Sequence, residues 1–170
     1  ETVLAHYYVD EEVQKIADYI GDSFYLAKVA SQTEADRIVF AGVEFMGESA
    51  KILNPNKKVL MPDAFADCPM AHMITIKEIK EMREKYDDLA VVCYINSTAE
   101  IKQYADVCVT SSNAVKIVKA LPQKNIFFIP DQNLGDFVRR QVPEKNVMTN
   151  YGHCPRPVSY THLPSPRDRG

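Results

Sequence analysis

The chain has 170 residues, 46% of them hydrophobic, and carries 20 basic against 23 acidic residues for a net charge of −3. That length accommodates one ordinary domain or two small ones with true cores. The near balance of charge excludes the basic face that nucleic acid requires and points to small metabolites as partners. No run reaches the roughly 18 apolar residues of a membrane span, and no charged start followed by an apolar core marks a signal peptide. The chain reads as cytoplasmic, with no membrane partner. In a reducing compartment its four cysteines are thiols or metal ligands rather than a disulfide frame. It opens on ETVLAHYY, without Met and with a strand already under way, so an N-terminal piece is expected to be missing.

In chain order, the runs TVLAH, RIVFAG, KKVLMP, LAVVCYI, NIFFIP and NVMT predict strands, separated by segments with apolar residues at helical spacing. The first of these segments places Val13, Ile16, Ala17 and Ile20 on one helix face. A second, Ile74 to Asp88, carries Ile76, Ile79, Lys80 and Arg83 in the same rhythm and reads as an amphipathic connector. Strands alternating with helices predict an α/β fold with parallel sheets covered on both faces.

Sliding the chain 88 residues onto itself aligns Val3 with Val91, Asp18 with Asp106, Ser23 with Ser111, Phe40 with Phe128, Lys57 with Lys145 and Val59 with Val147, without a gap. Unrelated α/β units share a periodicity but do not keep loop residues in step, so the register predicts an internal duplication. The expected organisation is two repeated three-layer αβα units, 1–73 and 74–157.

The same register pairs His6 with Tyr94 and Tyr8 with Asn96, just past the first strand of each unit, where open α/β sheets bind ligands. Taken singly, Tyr8 and Tyr94 read as packing aromatics, and Asn96 with Ser97 as a helix cap. Ser23 and Ser111 each precede a helical stretch, where a hydroxyl and free N–H groups suit a carboxylate or phosphate; a plain N-cap is the alternative. Cys93 and Cys108 lie in apolar strand-like runs and read as buried structural residues. Cys68 and Cys154 sit in Cys-Pro loops that end each repeat, and a pseudosymmetry axis would bring the two loops together. A redox disulfide or incidental thiols stay open at this point, although no C-x-x-C is present.

LAHYY, IADYIGDS, GVEFMGESAKILNPNKKVLMPD, CPMAHMI, YINSTAEIK, ADVCVTSSNAV, PDQNLGDFV and GHCP follow one another from Thr2 to Pro155. Together they resemble the quinolinate synthase family of bacterial and plastid NAD biosynthesis. The resemblance implies three similar domains about a pseudo-threefold axis, of which this chain would hold the first two, the third being missing. It implies a [4Fe-4S] cluster held by one cysteine per domain, with Cys68 and Cys154 as the first two ligands and an open iron acting as a Lewis acid. It further implies condensation of iminoaspartate with dihydroxyacetone phosphate to quinolinate, with L-aspartate oxidase as a supplier of the imine. His6, Tyr8 and Tyr94 would then be catalytic, and His6, Tyr8, Ser23, Tyr94, Asn96 and Ser111 would bind substrate. Residues 158–170 depart from the family pattern and read as a non-native tail. With two of three cysteines, the chain as given is expected to be inactive. The alternative from a different class is a cluster-free two-lobe module binding a dicarboxylate or phosphate ester.

Overall fold

The structure, a computed structural model, describes residues 1–154. In the first unit β1 (Thr2–His6), α1 (Glu11–Lys15), β2 (Tyr19–Gly21), α2 (Ser23–Gln32), β3 (Arg37–Ala41), α3 (Glu44–Leu53) and β4 (Lys58–Leu60) follow in turn. A 3₁₀ turn (Pro69–His72) leads to α4 (Ile76–Lys85), β5 (Leu89–Tyr94), α5 (Ala99–Lys102), β6 (Val107–Val109), α6 (Ala114–Ala120), β7 (Asn125–Ile129), α7 (Gln132–Gln141) and β8 (Asn146–Thr149). The expected non-native tail, 158–170, lies outside the described residues.

Two four-stranded, all-parallel sheets result, ordered β2-β1-β3-β4 and β6-β5-β7-β8. Every parallel neighbour needs a crossover, which places helices against the sheets. The fold is α/β, built of repeated three-layer units. The second sheet shows the layering in its alternation. Ala90, Val92, Ile126 and Phe128 face α6 and α7, whereas Leu89, Val91, Phe127 and Ile129 face α4 and α5. In the first unit α2 and α3 close one face around Leu4, Ile38 and Phe40, while α1 buries no side chain.

The 88-residue duplication is visible element by element. Tyr19–Gly21 matches Val107–Val109, Arg37–Ala41 matches Asn125–Ile129, and Glu44–Leu53 matches Gln132–Gln141. Equivalent polar residues also do equivalent work. A carboxylate oxygen of Asp18 accepts from Val3 N at 2.8 Å, and one of Asp106 accepts from Val91 N at 2.7 Å. Lys57 Nζ donates to the carbonyls of Ala30 and Thr33, and Lys145 Nζ to those of Leu121 and Gln123, closing the exits of α2 and α6.

Several local expectations need correction. Helix α1 ends at Lys15, and Ile16 and Ile20 do not share a buried helix face; they are 73% and 38% exposed. Asp18 is the reason. Its N–H donates to Val3 O while its carboxylate accepts from Val3 N, so the segment is drawn into edge strand β2 instead of continuing as a helix. Strand β2 has no counterpart in the sequence expectation, whereas β6 falls in ADVCVT, the strand-like run that holds Cys108; both strands are three residues long. Cys108, expected to be buried, lies exposed on edge strand β6. Segment 74–88 forms α4 behind a Thr75–Glu78 capping box, and it packs Ile79 and Met82 against the second sheet.

The units lock together through polar contacts. Glu48 on α3 accepts from Ala99 N at the start of α5 (2.7 Å), and Lys102 donates to Ser49 Oγ (2.9 Å). Asn150 donates to Met73 O across the sequence interval between the units (2.7 Å).

Gly47 and Gly135 are equivalent helix positions pressed against a strand end. A Cβ on Gly47 would lie 2.3 Å from Met61 Sδ, and one on Gly135 would lie 2.3 Å from Thr149 Cγ2 and 3.2 Å from Phe128 Cδ1. Methionine can swing away, whereas the β-branched threonine, backed by the phenylalanine ring, cannot. Overpacking costs about 1–3 kcal/mol, against about 1 kcal/mol that alanine gains over glycine in a helix. Gly135→Ala should therefore lower stability in urea unfolding while Gly47→Ala stays near neutral; equal effects would contradict this account.

Candidate functional site

The parallel strands deliver their carboxyl ends to one edge of each sheet, and the first strand of each unit ends on a residue singled out in the sequence. His6 closes β1 and Tyr94 closes β5. Both are held by the same turn geometry, in which Tyr7 N donates to Gly21 O and Ile95 N donates to Val109 O.

His6 is 7% exposed. Burial draws its pKa below the ordinary 6.5, opposed by the negative charge of Asp22. Tyr8 N donates to His6 Nδ1 at 3.2 Å, so the neutral ring carries its proton on Nε2. The Tyr8 ring stands edge-on to the imidazole, with centroids 4.7 Å apart, and is 90% exposed. Tyr8 lines an open cleft of about 320 Å³ with Asp10, Gly42 and Asp63.

Tyr94 is half-buried. Its phenol is pushed up to about 12, first by burial and then by the charge of Asp131, with the ionisable groups of Cys154, Cys68 and Tyr8 acting in the same direction. These groups from both units therefore act on one hydroxyl. The Cys68 thiol is itself pushed up, chiefly by burial, with the charge of Cys154 adding to the effect against the opposing amides of Met70 and Ala71. Both cysteines are intermediate in exposure, and neither is in a disulfide.

The remaining expected residues are placed less centrally. Asn96 is half-buried in the turn after β5. Ser97 holds that turn by donating to Tyr94 O at 2.9 Å. Thr98, rather than Asn96 or Ser97, caps α5 by accepting from Ile101 N. Ser23 is the first residue of α2, but the cap is Asp22, whose Oδ1 accepts from Tyr25 N at 2.8 Å. Ser111 is exposed in the turn ahead of α6, where Asn113 Oδ1 instead accepts from Thr110 N at 2.7 Å. The plain-cap alternative thus fails for both serines.

Asp131 is not among the residues expected at the site. It caps α7 through Asn133 N and Leu134 N and has the largest electrostatic effect on Tyr94. Its equivalent in the first unit is Val43, which caps nothing, so a search for repeated polar residues passes over it. An aspartate placed between a strand and a helix was the available signal. A larger cleft, about 430 Å³, opens between the units beside Glu44, Glu48, His72 and Thr98; none of the expected site residues lines it.

Among the described residues, no helix is long and apolar enough to cross a membrane. The family model described as "NadA: Quinolinate synthetase A protein" matches residues 1–162. The chain is 70% identical over 152 residues to a quinolinate synthase of Fusobacterium nucleatum, an alignment covering 89% of this chain and 51% of the relative. It is 56% identical over 160 residues to that of Aquifex aeolicus, covering 94% and 50%. Against that of Caldicellulosiruptor saccharolyticus it is 55% identical over 152 residues, covering 89% and 50%. The chain spans about half the length of the curated relatives it matches. These matches establish that the chain belongs to the quinolinate synthetase A (NadA) family.

Proposed function

We propose that this chain supplies two substrate-binding units of a quinolinate synthase, which condenses iminoaspartate with dihydroxyacetone phosphate in NAD biosynthesis, and that its edge of His6, Tyr8, Tyr94 and Asn96 handles the reacting groups. The observation that carries the reading is the equivalent placement of His6 and Tyr94 at the carboxyl ends of β1 and β5, each followed by the same turn, in a chain of the NadA family.

Each group has a role set by its environment. Tyr94 stays protonated at neutral pH, so it donates a hydrogen bond to a carboxylate or carbonyl oxygen without losing its proton. His6 stays neutral, with Nε2–H available to donate, and an approaching anion would favour its imidazolium form for proton transfer. Tyr8 extends from the edge and closes over what His6 binds. Asn96 presents an amide at the equivalent position. Ser23 and Ser111 offer hydroxyls toward the acidic ends of the ligand. L-aspartate oxidase fits as the supplier of the unstable imine.

The donors suit an iron–sulfur group as far as they go: Cys68 and Cys154 are two soft ligands on separate loops that act on the same phenol. Among the described residues no group of three or more His, Cys, Asp or Glu is placed to hold a metal ion, so these two thiolates would hold a [4Fe-4S] cluster only with further ligands. When bound, such a cluster supplies a Lewis-acidic iron.

The test is a chimera in which the matched segment of the Fusobacterium nucleatum relative is replaced by residues 2–154 of this chain. Quinolinate formation and brown iron–sulfur absorbance should persist, and Cys68→Ser or Cys154→Ser should abolish both; retention of both after either change would refute the ligand assignment. The 170-residue chain by itself should retain little cluster after anaerobic reconstitution and form no quinolinate. In the same chimera Ser23→Ala or Ser111→Ala should weaken quinolinate binding by about 1–3 kcal/mol each, the scale of a hydrogen bond to a charged group. Unchanged affinity in titrations of both would remove the serines from the site.

His6 makes a separate prediction for the chain alone. Because its folded pKa lies below 6.5, the unfolded chain binds more protons on acidification, and stability falls as the pH drops below that value. Urea midpoints measured across this range should decline, and His6→Gln should flatten the slope whatever it does to absolute stability.

A further inference from the structure

We infer that Cys93 and Cys108 form an oxidisable dithiol, which a hydroperoxide converts to a disulfide joining β5 to edge strand β6. The two residues are register partners on adjacent parallel strands. Neighbouring strands run about 4.7–4.9 Å apart, inside the Cα separation of about 4.4–6.8 Å that a disulfide spans. Register partners also project from the same face of a sheet. Cys93 lies with Leu89 and Val91 on the face covered by α4 and α5, while Val107 and Val109, flanking Cys108, pack on the opposite face. Both sulfurs therefore point to one side of the sheet, and each thiol is the first cause of the other's shift.

The pair is chemically unequal in a way that suits stepwise oxidation. Cys93 is fully buried, and Cys108 is exposed. The Cys93 hydrogen bond and the nearby Lys102 ammonium lower the Cys108 thiol to about 7, despite partial burial. Cys93 is pushed up by that same hydrogen bond and by burial, although the Ser97 hydroxyl lies 2.8 Å from its sulfur. Cys108 is thus the thiolate that meets a peroxide, and Cys93 is the resolving thiol.

In the first step the Cys108 sulfur attacks a peroxide oxygen. The O–O bond breaks, Cys108 becomes a sulfenic acid, and for hydrogen peroxide the departing hydroxide takes a proton and leaves as water. In the second step the Cys93 sulfur attacks the Cys108 sulfur. The S–S bond forms, the S–O bond breaks, and the leaving hydroxide takes up the Cys93 proton as a second water. Two thiols lose two electrons in all, and one peroxide gains them. The linkage would staple β5 to β6 immediately before Tyr94, independently of whether the chain serves quinolinate formation.

Peptide mapping of the reduced, purified chain after hydrogen peroxide treatment tests the inference. Trypsin separates Cys93, in 86–102, from Cys108, in 103–116. Oxidation should join these two peptides in a species lighter by two hydrogens and reversible by dithiothreitol, and prior unfolding in guanidinium should abolish the preference for this pair. In Cys93→Ser, or Cys93→Ala if serine impairs folding, dimedone should trap a sulfenic acid at Cys108, a label lost in the unsubstituted chain. The inference is overturned if 86–102 and 103–116 remain separate while other cysteine peptides cross-link, or if all four thiols oxidise indiscriminately.

Discussion

Parallel pairing of β1 with β3 and of β5 with β7 is the constraint from which the site follows. A parallel neighbour cannot be reached by a hairpin, so the chain must cross over a face and return to the same starting edge. Every strand then ends on one side of its sheet, with its loop on that side as well. His6 and Tyr94 owe their equivalent positions to this topology rather than to any direct contact between them. The edge strands β2 and β6 complete the arrangement, because Gly21 and Val109 provide the carbonyls that fix the backbone just past those two residues.

The duplicated scaffold carries unequal side chains, and the inequality is where chemistry enters. Position by position, the second unit has Tyr94 for His6, Asp131 for Val43 and Thr149 for Met61. Structural groups are kept in both copies: Asp18 and Asp106 bind the first strand, and Lys57 and Lys145 close a helix exit. Identity across the register therefore marks framework most reliably, and difference at the strand tips marks specialisation. The serines at 23 and 111 illustrate the limit of reading identity as function. They are the same residue at the same register, yet one begins a helix and the other lies exposed in a turn before one.

Much of this architecture was legible in the sequence. Six strands were visible: β1, β3, β5 and β7 are interior to the sheets and carry long apolar runs, while β4 and β8, although at the edges, keep short ones, and NVMT and TVLAH were bounded to the residue. Edge strands β2 and β6 stood out less, because each pairs on one side only and is three residues long. Helical spacing at Val13 to Ile20 misled for a related reason. The bonds between Asp18 and Val3 are long-range and override local periodicity. Cys108 looked buried because ADVCVT is apolar, but exposure on an edge strand depends on which neighbour is absent, which composition does not encode. In the site, the repeat exposed His6 and Tyr94, whereas Asp131 has no counterpart to align with.

The electrostatics of the edge set a condition on its proposed use. Asp22 faces His6, and Asp131 with two cysteines faces Tyr94, so the charges that act on these two residues are negative or potentially negative. Burial answers by keeping the histidine, the phenol and the Cys68 thiol neutral, which avoids repulsion but leaves no fixed cation among them to receive an anionic substrate. A thiolate-ligated metal centre would add an open coordination site rather than net positive charge, because each thiolate offsets one charge of the core. Thiolate ligation displaces the proton that burial holds on Cys68, so loading would release protons and favour higher pH. On this reasoning the neutral edge is a resting condition, and the proposed cluster would receive an anionic substrate by coordination at its open iron while the buried phenol keeps its proton and donates a hydrogen bond.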